Sequence, residues 1–234
     1  MTTGITTALE AADISVSGQL LLRNVSLVLH RGTLTIISAP DGCGASHVLR
    51  ILWGALPLQN GRVICDDTDM THAPSRRWAA WRRQIGIFCD DFPFAENWTA
   101  SANVATALYA AEKLPGHVIA RRTIDELRQW GLLACRFVHA HRLSRSQRVR
   151  LGLARAFVRG PLAVFLDNPL AHLSPVEQGH LLEIIRRKAR AGSAVCLTIG
   201  EQTVVHGDEL YRIENERIIH VSGKRGPARC GTIF

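Results

Sequence analysis

The chain has 234 residues, 47% hydrophobic and 21% charged, and carries a formal charge of +8. This is the balance of a soluble globular protein with room for a full core, as one domain or one domain with a lobe. It excludes a membrane span, since no apolar run reaches the ~20 residues required, and the opening MTTGITTALEAADIS has neither the basic nor the apolar region of a secretory leader.

The six cysteines (Cys43, Cys65, Cys89, Cys135, Cys196, Cys230) are scattered, with no C-x-x-C pair and no metal spacing, so reduced thiols in the cytoplasm are expected. The positive charge fits an anionic partner, either a membrane face or a nucleic acid, or else an arginine-rich proteome. No single aromatic-and-basic stripe stands out.

Along the chain, residues 8–32 alternate as two or three strands, with His30-Arg31-Gly32 as a turn. Leu34, Ile36 and Ile37 read as a short buried strand and Gly42 and Gly44 as a tight loop. A helix then opens near Ser46, with Val48, Leu49, Leu52 and Leu56 facing a core. Strand, glycine loop and helix form the layout of a phosphate-binding loop, in which backbone N–H groups turn inward and the helix N-terminus adds partial positive charge. Against G-x-x-x-x-G-K-[ST] the chain has Ala39, Gly44, Ala45 and Ser46, so the cradle is present and the lysine is gone. Taken alone, the stretch is equally well a plain glycine turn.

A strand at Arg62–Ile64, a basic helix in THAPSRRWAAWRRQ and a short strand at Ile85–Phe88 follow. The helix carries Arg76, Arg77, Arg82 and Arg83, read as a solvated face rather than one for anionic headgroups. Residues 91–142 look helical, with Gly131 as a C-terminal stop. Then come a helix over Ser144–Val158, a buried strand at Leu162–Leu166, a helix over Pro175–Arg190 and a strand at Ala194–Ile199. The alternation argues for an α/β core with mostly parallel strands. Residues from about 91 to 158 are read as an inserted helical lobe, and 223–234 as a loose basic tail.

Four further stretches stand in the order and spacing of an ABC-transporter ATP-binding subunit. RRQIGIFCDD (82–91) resembles the strand leading into the Q-loop, and LSRSQRVRLGLARAF (143–157) the signature segment LSGGQxQRVxxARA. PLAVFLDNPLAHLS (161–174) resembles the Walker B strand and D-loop, and SAVCLTIGE (193–201) the strand carrying the switch histidine. The resemblance covers residues 8–222. Within the family, the WRRQIGIF run and the single-domain length most resemble the cell-division subunit FtsE, with the lipoprotein-release subunit LolD close behind.

The resemblance also implies what is missing. The Walker lysine falls on Ala45, the Q-loop glutamine on Asp90, the signature glycines on Arg145-Ser146 and the catalytic glutamate on Asn168. The D-loop aspartate falls on Ser174, the switch histidine on Gly200, and the adenine-stacking aromatic near Val16. Ala45 offers no ammonium to the phosphates, a charge-assisted contact worth roughly 1.5–3 kcal/mol. Asn168 cannot accept a proton as a base, and Gly200 has no side chain for a γ-phosphate. Removing single preorganised groups costs ~10²–10³ in rate, so turnover near background is expected and no catalytic set is intact.

What remains, by the same resemblance, is a nucleotide cradle of Ala39, Asp41, Gly42, Gly44, Ala45, Ser46 and His47, with Ser144 and Arg145 from the signature segment. Ser46, Asp90 and Asp167 are the Mg²⁺ candidates, oxygen donors that a hard cation accepts. The plainer readings are a helix N-cap for Ser46 and a cap on the following turn for Asp167. Arg145 is open between a cation supplied in trans, as arginine fingers are, a pair with Asp41 or Asp90 across a dimer interface, and a solvated surface arginine. Leu151, Leu153, Ala154 and Phe157 are read as core.

The fold expected is an ABC-type α/β P-loop domain over residues 1–222, with an antiparallel β-lobe near the N-terminus and the inserted helical lobe. The function expected is a degenerate, FtsE-like ATP-binding subunit, a scaffold or regulator that holds ATP and Mg²⁺ weakly or not at all. The alternative is an ABC ATPase that still turns over slowly, as a homodimer or beside an intact subunit. The resemblance implies a place on the cytoplasmic face of the inner membrane, peripheral through an FtsX-like permease partner. Phe92, Phe94 and Trp98 are the apolar anchors for it, or else ordinary core of the helical lobe. A nucleic-acid-associated role has only the net charge behind it and is not favoured at this length.

Overall fold

The computed structural model describes residues 5–89, 93–110, 114–201, 203 and 207–223. β1 (Ile5–Val16) and β2 (Gln19–His30) pair antiparallel around Ser17-Gly18, both at positive φ, the backbone that a tight two-residue hairpin turn requires. β3 (Leu34–Ala39) leads through the glycine loop into α1 (Ala45–Leu52). β4 (Asn60–Cys65), the two-residue β5 (Thr68–Asp69), α2 (Ser75–Arg82) and β6 (Ile85–Phe88) follow. Next come α3 (Ala100–Tyr109), α4 (Gly116–Gln129), single 3₁₀ turns at Leu133–Cys135 and Ala140–Arg142, and α5 (Arg145–Phe157). β7 (Ala163–Leu166), α6 (Pro175–Arg190), β8 (Ala194–Gly200) and the hairpin of β9 (Glu209–Glu214) and β10 (Arg217–Gly223) close the described chain.

The strands form two sheets. The first, in the order β2-β1-β4-β5, is antiparallel and is the expected N-terminal β-lobe. The second runs β10-β9-β3-β8-β7-β6, parallel throughout except for β10 at its edge. Successive residues of its inner strands alternate between two cores. Val164, Leu166, Val195, Leu197 and Ile199 join a cluster built with α3–α6, while Ala163, Phe165, Ala194 and Cys196 join α1 and the antiparallel sheet. Strands covered on both faces read as unbroken apolar runs, which is why this part of the sequence is so legible.

Helices α3–α5 share their core with the rest. Val104, Leu108, Leu127, Trp130, Leu151 and Leu153 lie in one cluster with Leu181, Ile184 and Ile185 of α6. A buried ion pair reinforces the junction: Lys188 Nζ of α6 lies 2.6 Å from Glu126 Oε2 of α4, whose other oxygen accepts from Trp130 Nε1 at 2.7 Å.

Several features depart from the sequence expectation. α1 stops at Leu52 and the chain turns at Gly54 (φ 74°), so Leu56 lies beyond the helix, partly buried against the same core. The stretch before α3 is not helical. Buried Asn103 folds it back by accepting from Ala95 N at 2.9 Å and donating to the carbonyls of Ala95, Trp98 and Thr99. Arg82 is no solvated charge: its Nη1 donates to Gly54 O at 3.1 Å, covering a carbonyl left open after α1. The β9–β10 hairpin was not foreseen, and Gly223, expected in the tail, closes β10. The rest of the tail, with Cys230, lies outside the described residues; among the described residues no disulfide joins the other cysteines.

Replacing Lys188 by Met leaves the Glu126 carboxylate buried without its counter-charge. Breaking such a pair from one side costs about 3–5 kcal/mol, to be read from urea unfolding. Lys188→Met combined with Glu126→Gln, which keeps an acceptor for Trp130, should regain most of that loss.

Candidate functional site

The ends of three neighbouring parallel strands define the site. In the register of β3 and β8, Ala39 lies beside Gly200 and Ile37 beside Thr198, and in that of β7 and β8, Leu166 lies beside Leu197. The glycine loop after β3, the end of β8, and Asp167-Asn168 after β7 therefore converge beyond the carboxyl ends of the strands, where open α/β sheets bind their ligands. Together they line a small cavity of about 120 Å³ that contains Ala39, Asp41, Gly42, Gly44, Ala45, Ser46, His47, Asp167, Asn168 and Gly200. The cradle candidates are thus brought together. Ser144 and Arg145 lie outside this cavity.

Gly42 (φ 77°) and Gly44 (φ 101°) hold the loop in the left-handed region, and a Cβ on Gly44 would come 3.3 Å from Leu22 Cδ1. Gly44 is the N-cap of α1 and has no side chain to cap with, so Ser46 is not the cap. Ser46 sits inside the first turn and its Oγ donates to Asp167 Oδ1 at 2.8 Å. Thr198 Oγ1 donates to the same oxygen at 2.9 Å and accepts from Asn168 N at 2.9 Å. Asp167 is therefore not a cap on its own turn; its carboxylate ties β7 to α1 and β8. Thr198 is the residue that sequence reasoning missed, although a lone hydroxyl in the run AVCLTIG was the available signal.

Ser46 Oγ and the Asp167 carboxylate are hard oxygen donors and fit Mg²⁺ in kind. Asp90, the third candidate, lies outside the described residues. Among the described residues no three His, Cys, Asp or Glu gather as a metal group. Among the described residues, no lysine or arginine lines the cradle. His47 does not replace one: burial and then Arg50 hold its pKa below the ordinary imidazole value, against the opposing pull of Asp167, so it is neutral near pH 7. Asn168 holds φ 46°, a left-handed turn that asparagine accepts more readily than longer side chains.

A second cavity of about 510 Å³ runs from Ser46, Asp167 and Asn168 to the face of α5 carrying Arg145, Arg148 and Arg155. Ser144 caps α5 by accepting from Gln147 N at 3.3 Å, while Gln147 Oε1 accepts from Ser144 N at 2.9 Å. Arg145 is exposed and makes no ion pair with a described residue, whereas Arg148 donates to Glu96 Oε2 at 2.8 Å. Ser174, which the resemblance puts at the D-loop aspartate, caps α6 in a second capping box with Glu177.

The three aromatic anchors do not form one groove. Phe92 lies outside the described residues. Phe94 lines the second cavity with the guanidinium groups of Arg148 and Arg155 at 5.2 and 4.8 Å from its ring centroid. Trp98, 51% exposed, belongs to a separate groove with Tyr109 and Phe137.

Residues 22–171 match the ABC transporter family model. PhnT of Salmonella typhimurium, an ATP-binding protein named for 2-aminoethylphosphonate import, is 29% identical over 189 residues, or 81% of this chain and 49% of that one. The spermidine/putrescine import ATP-binding protein PotA of Pasteurella multocida is 31% identical over 153 residues, 65% of this chain and 40% of that one. The chain thus spans about half the length of the curated relatives it matches. The dimeric structure of MJ0796, a bacterial ABC transporter cassette, superposes with a TM-score of 0.83 at 20% identity, covering 94% of this chain and 99% of that one. CbiO1 from Clostridium perfringens, part of the cbiONQ complex, gives 0.81 at 21% identity over 92% and 87%. At that identity the likeness is one of fold.

Thr198→Val removes a donor from Asp167 and the acceptor of Asn168 N–H. A loss of about 1–3 kcal/mol is expected in urea unfolding, with Thr198→Ser close to wild type.

Proposed function

The chain belongs to the ABC transporter family, and from that premise we propose that it is an ATP-binding subunit of reduced catalytic competence, acting as a scaffold or regulator on a membrane permease-like partner. The observation that supports this best is the chemistry of the cradle. Its loop, its serine and its aspartate are in place, but among the described residues its lining has no lysine or arginine, with Ala45, Asn168 and Gly200 where charge and proton transfer are needed. Backbone N–H groups and the α1 terminus are left to attract phosphate, which supports weak binding of Mg-ATP through Ser46 and Asp167. Asn168 adds no general base, since an amide oxygen does not take up a proton near neutral pH.

We assign residues 1–222 to one ABC-type unit, with residues 91–158 as its helical lobe. Among the described residues no helix is long and apolar enough to cross a membrane, so contact with the bilayer would run through the partner. Docking is assigned to the Phe94 side or to the Trp98 side, but not to both as one surface. An FtsX-like partner follows if the WRRQIGIF run carries the subfamily, and an import permease if the names of PhnT and PotA do. The second reading, a slow ATPase in a homodimer or heterodimer, is favoured by the intact Ser46–Asp167 pair.

Thermal shift and turnover with Mg-ATP separate the two. Ligand at 100 times its dissociation constant stabilises by about 2.7 kcal/mol. Ala45→Lys should tighten binding by roughly 1.5–3 kcal/mol, one to two decades, while the unaltered chain turns over at background. Wild-type hydrolysis that Asp167→Asn abolishes would instead establish the slow enzyme.

A further inference from the structure

Outside the cradle, two histidines stand on the strip where residues 95–101 meet residues 136–141. His139 is extended (φ −68°, ψ 146°) and bridges Thr99 antiparallel, and His141 lies in the 3₁₀ turn that follows. Main-chain bonds hold the strip: Ala140 N donates to Trp98 O at 2.9 Å, His141 N to Glu96 O at 3.2 Å and Ala100 N to Val138 O at 2.9 Å. Each ring also meets a backbone carbonyl through Nδ1, His139 with Asn97 O at 2.7 Å and His141 with Glu96 O at 2.9 Å.

Those contacts decide the tautomer. A carbonyl oxygen has no proton to give, so Nδ1 is the donor in both rings. In the neutral imidazole Nε2 is then a bare lone pair, the form in which histidine binds metal. A hydrogen bond from the other ring nitrogen to a carbonyl is also what orients metal-bound histidines and raises their basicity. The two ring centroids lie 5.8 Å apart with their planes at 32°. Two imidazoles on one tetrahedral ion, with Zn–N bonds of about 2.0–2.1 Å, place their centroids roughly 5 Å apart. Both residues are exposed to entering ions.

We propose that His139 and His141 form a surface chelate for a borderline divalent cation of the Zn²⁺, Ni²⁺ or Cu²⁺ class, bound through the two Nε2 atoms with water completing its shell. Imidazole suits these ions, whereas Mg²⁺ seeks oxygen, so the site is chemically separate from the cradle. No third His, Cys, Asp or Glu joins them among the described residues, which makes this an exchangeable site and not a structural one. The neighbouring carboxylate, Glu96, is held by Arg148, whose hydrogen bond keeps it below the usual carboxylate range, with His141 a lesser influence. Of the nearby cations, Arg148 is offset by Glu96, Arg136 lies over the Phe137 ring, and exposed Arg142 is screened by solvent. A bound ion would brace the strip just ahead of the Ser144 cap, at the entry to α5.

Asparagine places an N–H donor near the position of Nδ1 and deletes Nε2, so His139→Asn and His141→Asn separate ligation from packing. Calorimetric titration of the full chain with zinc should show one-to-one binding. Each variant should weaken it by on the order of 10–100-fold, at least what losing an outer partner costs. His117→Asn should leave it unchanged, and the urea midpoints of all three should stay near wild type. Nitrogen-detected spectra of the histidines should show both rings protonated at Nδ1. Wild-type zinc affinity in the double asparagine variant, absence of binding to the unaltered chain at millimolar zinc or copper, or rings protonated at Nε2 alone would each overturn the proposal.

Discussion

One oxygen atom organises the site. Asp167 Oδ1 receives hydroxyl protons from Ser46 at 2.8 Å and from Thr198 at 2.9 Å, and those two residues come from α1 and β8. The bonds are short, charge-assisted and partly buried, the kind that contributes most where water is scarce. They pin the first turn of α1 against the ends of β7 and β8, and so fix where the glycine loop stands over the sheet. Thr198 passes the constraint on by accepting from Asn168 N at 2.9 Å, which steadies the left-handed turn at φ 46°. The loop can be glycine-rich and still well placed because its far end is anchored to a carboxylate.

That anchor works only because the strand order is β3-β8-β7. Strand β8 comes late in the chain yet lies between the two strands whose ends carry the loop and the aspartate. What sets this order is burial on both faces: Val195 and Leu197 enter one core and Ala194 and Cys196 the other, so β8 has no face to offer water. A central position is the only one that covers both. The same logic draws α3–α5 into the main core with α6 and gives the Lys188–Glu126 pair its place across the junction.

These two constraints explain what could be read from the sequence. β6 over Ile85–Phe88 and α6 over Pro175–Arg190 have the boundaries that the sequence suggests, because their signals are local: an apolar run for β6, and Ser174, Pro175 and Glu177 at the start of α6. The glycine loop was legible for the same reason, whereas Ser46 and Asp167 were singled out through the family resemblance. Thr198 was not, since its partner is set by strand order and no local pattern carries that. The hairpin of β9 and β10 was hidden by its turn, where Asn215 and Glu216 both take positive φ and a glycine would have announced it. Phe94 and Trp98 looked like one patch because they are close in sequence. Asn103 gathers the intervening carbonyls onto α3 and sends the two rings to different surfaces.

The positions that the resemblance reads as departures from the family pattern share one property. Ala45, Asn168 and Gly200 line the cradle cavity and Arg145 lines its neighbour, and none of the four is fully buried, although Ala45 packs against the edge of the core. The core beneath them is closely packed, from Val48 and Leu49 under the loop to Phe165 and Leu197 within the sheet. Neither that core nor the Asp167 hydrogen bonds need a lysine, a glutamate or a histidine at the rim. If the cradle is degenerate as proposed, groups that turn outward into a cavity can differ from the family pattern without disturbing the scaffold beneath them. On the proposed reading, the surfaces selected in this chain are those that meet other molecules, and the cradle survives because its hydrogen bonds hold two strand ends and the first turn of α1 together.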